Sequence, residues 1–295
     1  MELGLKPLGR ERLVLGLMLM PTLIGLVFGV LGSVLATVGL SFTQWDLLTP
    51  PKWTGFTHYV ALFTDDKFIR ALTNTFKFSA LYVPGVVIIS LAVAVLMNRR
   101  IRGVSLFRTM YFLPAVTSAV AAALVWNLIF SRDFGIINAV LERLGGQGVC
   151  WLCADHILTA VLIVNIWGAI GEGMIIFLAG LTAIPREYYE AATVDGANET
   201  EKFLNITLPL ITPSIFFQTI ISTINAFQAY DYVYMMTRRG QGDSSFPVVV
   251  FSIYRNAWNF FNYGGASAQA VELAVLVVIL MAFYFWLERR FVVYE

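Results

Sequence analysis

The sequence predicts an all-α polytopic membrane protein: six transmembrane helices with a polar helical hairpin between the fourth and fifth. Three observations carry that reading. Apolar residues make up 58% of the chain and charged residues 13%, with a mean hydropathy of +0.73, more apolar surface than a soluble domain of this length can hide. Six apolar runs reach the roughly 20 residues that a helix needs to cross a hydrocarbon core. Pro185 to Pro209, the longest polar and helix-favouring stretch, falls between two of them and has to lie outside the lipid. Residues 1–295 read as a single transmembrane domain.

In chain order the runs are approximately Leu13 to Leu40, Phe78 to Met97, Tyr111 to Phe130, Ile157 to Leu181, Leu210 to Met236 and Ala268 to Leu287. The first is far longer than the roughly 7–15 apolar residues of a secretory signal, so it reads as an uncleaved span. An even number of spans puts both termini on one side. Tight basic clusters fall on that side, Lys6, Arg10 and Arg12; Arg99, Arg100, Arg102 and Arg108; and Arg289 with Arg290, and Arg186 and Lys202 of the hairpin add to them. The remaining basic residues sit in longer loops opposite, so the termini and the hairpin are expected in the cytoplasm, with the chain in the inner membrane. A net charge of +1 gives no field that would favour nucleic acid.

Three segments lie on the other side. Phe42 to Lys77, with Trp45, Trp53, Tyr59 and Phe63, reads as a short folded cap with aromatic interfacial anchors. Ser131 to His156 carries both cysteines, and Thr237 to Ser267 reads as an amphipathic element containing Tyr254, Trp258 and Phe261.

In the hairpin, Pro185 suits the first position of a helix. That helix carries Glu187, Glu190, Ala191 and Ala192 and stops near Gly196. Asn198 followed three residues later by Glu201 is a capping box that opens a second helix. Phe203 and Ile206 share its face, and Pro209 opens the next span. The hairpin offers small residues, Ala191, Ala192, Gly196 and Ala197, to whatever docks there.

Polar residues inside spans are costly against lipid and are pathway candidates by default. Here they are Asn127, Asn165, Glu172, Asn225, Gln228, Asp231, Gln269 and Glu272. Asp231 and Glu272 also suit the headgroup level. No lysine follows a glycine, so the chain lacks a phosphate-binding loop of the Gly-Lys-Ser/Thr type, and no catalytic residue is assigned. Cys150 and Cys153, placed on the oxidising side, suit a local disulfide, free thiols, or a redox or metal pair completed by Asp155 and His156.

Glu190-Ala191-Ala192, then Gly196, then Ile206-Thr207-Leu208-Pro209, resembles the EAA loop of inner-membrane subunits of binding-protein-dependent ABC importers. Leu40 to Trp45, Arg108 with Phe112-Leu113-Pro114, Trp126, Phe134-Gly135 with Asn138, Ile166-Trp167, Ala179-Gly180-Leu181 and Ala266-Ser267-Ala268 are similar to the maltose-type sugar permeases, nearly end to end and of the first-permease type. The resemblance implies a coupling helix formed by Glu187, Glu190, Ala191, Ala192, Asp195, Gly196 and Ala197. It implies a second, homologous permease, an ATPase dimer inside that holds the ATP and Mg, and a solute-binding protein outside. This chain itself would bind no cofactor. The substrate would be a sugar, an oligosaccharide or a glycerol-phosphate-like solute, for which Trp126 and Trp167 can stack on a ring while Asn165 and Asn225 bond hydroxyls, with Asn127, Glu172, Gln228 and Asp231 also on the path.

Two features depart from the family pattern: Thr237 to Gly242 replaces Thr-x-Gly-Gly-Pro, and Glu172 stands where an apolar or aromatic residue is usual. The rival readings are an ion-driven secondary transporter using Glu172, Asp231 and Glu272, which usually shows two similar halves, and a membrane thiol-disulfide enzyme built on Cys150 and Cys153. No internal repeat and no second cysteine pair accompany them.

Overall fold

The computed structural model describes residues 8–99, 103–238 and 246–291; Lys6, Arg100, Arg102 and the Arg239 to Gly242 departure lie outside the described residues. The described chain is mostly helical. Four helices are long and apolar enough to cross a membrane: Val14–Leu40, Asp66–Met97, Ile157–Ala183 and Tyr263–Arg290. Two bent pairs qualify only if each counts as one span, which makes up to six. Contacts divide the chain into two compact units, residues 1–64 with 253–272 and residues 65–252 with 273–295.

In the first unit, α1 (Leu8–Ile24) passes through a π-helical stretch, Gly25–Leu31, into α2 (Gly32–Leu40). Its apolar side chains are uncovered, with Phe28 75% exposed. Ser33 and Thr37 satisfy their hydroxyls on the carbonyls of Gly29 and Ser33, four residues back, as an apolar surround requires. A two-stranded antiparallel hairpin follows, β1 (Thr43–Gln44) with β2 (Lys52–Trp53), and then α3 (Thr57–Leu62). Phe42 gathers Trp53, Phe56 and Tyr59 around it, and the Tyr59 hydroxyl meets Ser41 Oγ at 2.7 Å. In the loop between the strands, Asp46 Oδ1 accepts from the Leu48 and Thr49 amides and the Thr49 hydroxyl. Those bonds hold the Asp46 carboxyl below its ordinary value, the Thr49 amide being the largest cause.

In the second unit, α4 (Asp66–Met97) starts three turns before the expected run because Asp65 caps it, accepting from the Lys67 amide. The run expected to be continuous from Tyr111 to Phe130 is instead α5 (Val104–Val116) and α6 (Ala119–Ile129), bent by 100°. Pro114 removes a helical donor, and Thr117 and Ser118 then adopt extended backbone. After the short α7 (Ile136–Arg143) comes α8 (Ile157–Ala183), the helix against which α4, α5 and the later helices Thr212–Phe227 and Asp231–Arg238 all pack. Glycine lets them come close: a Cβ at Gly171 would lie 2.5 Å from the Tyr111 carbonyl oxygen and 2.8 Å from Phe112 Cα of α5.

The hairpin comprises α9 (Arg186–Val194) and α10 (Glu199–Lys202), followed by a π-helical turn, Phe203–Thr207, and α11 (Leu208–Leu210). The run expected from Leu210 to Met236 is likewise broken. Glu199–Leu210 and α12 (Thr212–Phe227) meet at 63° beside Pro209 and Pro213. The chain breaks again after Phe227, and α13 (Asp231–Arg238) starts on an aspartate that favours a helix N-terminus. Next come α14 (Val249–Tyr254), a π-helical turn at Arg255–Asn259, and α15 (Tyr263–Phe291), whose first residues belong to the first unit. There the Tyr263 amide donates to the Trp45 carbonyl at 3.0 Å, and Gly264 lies against the Thr43 carbonyl oxygen and His58 where a Cβ would not fit.

Two apolar clusters fill the second unit. One joins Phe78, Tyr82 and Val86 of α4 to Ile157, Val161 and Val164 of α8 and to Val233 and Met236 of α13. The other joins Val93 and Met97 of α4 to Met174, Phe177 and Leu181 of α8.

Candidate functional site

The hairpin is held by local bonds at each end. Pro185 is the residue before α9 rather than its first, with extended backbone (ψ 137°), since a proline at the boundary still pre-sets φ. At the other end the Ala197 amide donates to the Ala192 carbonyl and the Gly196 amide to the Thr193 carbonyl. This is the two-bond Schellman stop, and Gly196 supplies its left-handed residue at φ +86°. Asn198 and Glu201 exchange both bonds of the capping box, at 2.9 and 2.8 Å. The Tyr189 hydroxyl then meets Thr207 Oγ1 at 2.9 Å and ties α9 to the turn that leads toward α12.

This frame leaves Glu187, Glu190, Ala191, Asp195 and Gly196 exposed, with Ala192 and Ala197 half-buried. Val194, three residues after Ala191 on the same face, is 88% exposed, a bare valine that the sequence reading passed over. The hairpin therefore presents an exposed crest of small and apolar side chains.

The intramembrane candidates separate into two groups. Trp126 and Trp167 meet edge to face, with ring centroids 5.6 Å apart, joining α6 to α8, while Asn127 Nδ2 donates to the Met235 carbonyl at 3.3 Å and joins α6 to α13. Asn165 donates to the Val161 carbonyl within α8, at 2.8 Å. Glu172, seven residues on and so on the same face of α8, is exposed, as are Asn225, Gln228 and Asp231. No hydrogen bond among the described residues joins Glu172, Asn225, Gln228 and Asp231 to one another.

Cys150 and Cys153 are joined as a disulfide, with Cα atoms 5.4 Å apart. The loop they close is organised by Asn138, which is buried. Its Nδ2 donates to the Val149 carbonyl at 2.9 Å, and its Oδ1 accepts from the Val149 amide and the Trp151 indole. Trp151 in turn lies 5.6 Å from Phe130, which stacks at 5.3 Å on Trp126. A continuous aromatic row therefore runs from the disulfide loop through Phe130 and Trp126 to Trp167.

Sequence reasoning missed a buried polar cluster where α4, α8 and α12 meet. Gln218 donates to Ser222 Oγ at 3.0 Å, while Gln218 Oε1 and Ser90 Oγ have no hydrogen-bond partner among the described residues. A Cβ at Gly173 would lie 2.5 Å from Ser90 Oγ and 3.2 Å from Gln218 Nε2. The spacing of Gln218, Ser222 and Asn225 along one face of α12 was the available signal.

A family model described as "Binding-protein-dependent transport system inner membrane component" matches residues 61–293. The chain is 37% identical over 266 residues to a probable ABC transporter permease protein of Bacillus subtilis, covering 88% of this chain and 85% of the relative. It is 34% identical over 282 residues to the sulfoquinovosyl glycerol transport system permease protein of Agrobacterium fabrum, covering 95% and 91%. Among solved structures, a chain of a bacterial alginate ABC transporter, crystallised with an alginate pentasaccharide-bound periplasmic protein, superimposes with a TM-score of 0.84 at 25% identity, covering 95% of this chain and 96% of that one.

Proposed function

Because the chain belongs to the binding-protein-dependent transport system inner membrane components, we propose that it is the permease subunit of an ATP-driven importer for a sugar or oligosaccharide. The carbohydrate reading draws on the sulfoquinovosyl glycerol permease and the alginate transporter to which the chain is similar. In this reading the bent pairs complete six spans, both termini are cytoplasmic, and a second permease packs on this one to close the path. ATP and Mg belong to a separate ATPase dimer, and a solute-binding protein delivers substrate from outside.

The observation that carries the mechanism is the hairpin frame. The Schellman stop, the capping box and the Tyr189–Thr207 bond make residues 185–209 move as a unit, so closure of an ATPase dimer on the Ala191, Val194 and Gly196 crest displaces the attached helices. The bends at Thr117–Ser118 and at Ile211 are where such rigid segments can reorient. Glu172, Asn165, Asn225 and Gln228 would bond sugar hydroxyls along the path, with the Trp126 and Trp167 rings as the apolar surface. A tagged chain solubilised gently from its own membrane should bring down an ATPase and a second permease. Elution with neither would overturn the proposal.

A further inference from the structure

A cavity of about 380 Å³ opens at the root of the hairpin, between the end of α4, the end of α8 and α10. Its lining joins the apolar Val95, Leu181 and Phe203 to the basic Arg99 and Lys202 and the acidic Glu199. Lys202 is mostly buried, its side chain 14% exposed, yet its ion-pair partner Glu199, at 3.0 Å, is 84% exposed. An ion pair with one arm so fully in solvent adds little, and the carboxylate is free to swing away and leave the ammonium to another anion. Arg99 is not needed to cover the carbonyl end of α4, because Arg108 Nη2 already donates to the Met97 carbonyl at 2.8 Å. The Arg99 guanidinium makes no hydrogen bond or ion pair among the described residues. In sequence it is followed by Arg100 and Arg102.

We propose that this cavity is a binding site for the phosphodiester headgroup of an anionic phospholipid, with the phosphate on Arg99 and Lys202 and the upper acyl chain on Val95, Leu181 and Phe203. Two cations beside three apolar side chains, with one carboxylate that can turn out to solvent, match an amphiphile with a negative head. Free phosphate would use only the two cations, and a carboxylate on a protein partner would leave the apolar side chains uncovered. The inference rests on the hairpin lying at the membrane surface, as read above. It adds that the lipid wedges the hairpin against α4, so the membrane's anionic lipid helps set the hairpin's position.

The test is native mass spectrometry of the assembled complex taken from vesicles of phosphatidylcholine with or without phosphatidylglycerol, with uptake measured in the same vesicles. Phosphatidylglycerol should remain as a bound adduct, and Arg99→Gln with Lys202→Gln should weaken its retention about thirtyfold, from the loss of two near-surface charges. Arg99→Lys with Lys202→Arg should restore it. Arg99→Gln alone, at an exposed side chain, reports the same loss to a smaller degree if the double variant does not assemble. Equal retention in wild type and variants overturns the site. Displacement of the lipid by millimolar inorganic phosphate would reassign it to a free anion. Loss of the ATPase with the adduct unchanged would reassign it to a protein carboxylate. Because the adduct is read without ATP, a complex that fails to couple for other reasons still gives an answer.

Discussion

The indole N–H of Trp151 donates to Asn138 Oδ1 at 3.0 Å, fixing one end of an aromatic row that ends at Trp167 in α8. Asn138 is buried and also pairs with both backbone groups of Val149, so the asparagine and not the disulfide alone defines the loop. Asn138→Ala should cost about 3 kcal/mol, since several buried groups lose their partner at roughly 1–3 kcal/mol each. Thermal unfolding of the purified complex checks this. A loss no larger than that from removing the disulfide would mean that the loop is held by the cysteines instead.

The Cys150–Cys153 bond closes a very short loop, which removes little chain entropy, so replacing both with serine should cost only about 2 kcal/mol. A membrane-impermeant thiol reagent should label the pair only after reduction. Loss of uptake at full stability would point to a redox role.

Gly173 faces Ser90 and Gln218 with no space for a side chain, so Gly173→Ala should overpack the junction of α4, α8 and α12 and destabilise by about 1–3 kcal/mol. The paired variant Gly173→Ala with Ser90→Gly, which opens that contact, should recover part of the loss in the same melting assay. Equal melting of all three proteins would show that the helices separate here.

Asp46 carries a lowered carboxyl pKa, so its folded form prefers the charged state. The bonds it makes to Leu48 and Thr49 therefore contribute fully above the ordinary aspartate value of about 3.9 and are lost as pH falls through the lower folded value. Amide exchange at Thr49 should accelerate only in that acidic window, and Asp46→Ala should make it fast at every pH. Acceleration beginning near neutrality would assign the protection to another group.

Glu172 is exposed on this chain although it sits within a helix long and apolar enough to cross a membrane, where a lipid-facing carboxylate is costly. Glu172→Gln should lower uptake of the native substrate while assembly and basal ATP hydrolysis stay unchanged. A drop in assembled yield with normal uptake per complex would place it at the second permease.

The helical class and the hairpin were legible because each rests on a local signal. Apolar run length marks candidate spans, and the reciprocal bonds of Asn198 and Glu201 follow directly from residue type and spacing. The breaks were not legible from hydropathy, which does not register backbone direction. The 100° turn at Thr117–Ser118 leaves the apolar run intact, and only Pro114 hints at it. The Ser90, Gln218 and Ser222 cluster was lost for a related reason: scattered hydroxyls and one amide do not interrupt an apolar run, and their convergence depends on three helices meeting at Gly173.

The central claim is that the crest of the hairpin passes force between subunits, and Ala191→Trp tests it most directly. Ala191 is preferable to Gly196, whose φ of +86° makes any side chain a backbone perturbation as well. In the reconstituted complex, Ala191→Trp should leave the chain in the membrane beside its partner permease. ATP-driven uptake should fall about tenfold or more, the effect of overpacking a docked surface by about 1–3 kcal/mol. Hydrolysis should no longer respond to the solute-binding protein. Normal uptake together with normal stimulation of hydrolysis would contradict the coupling role.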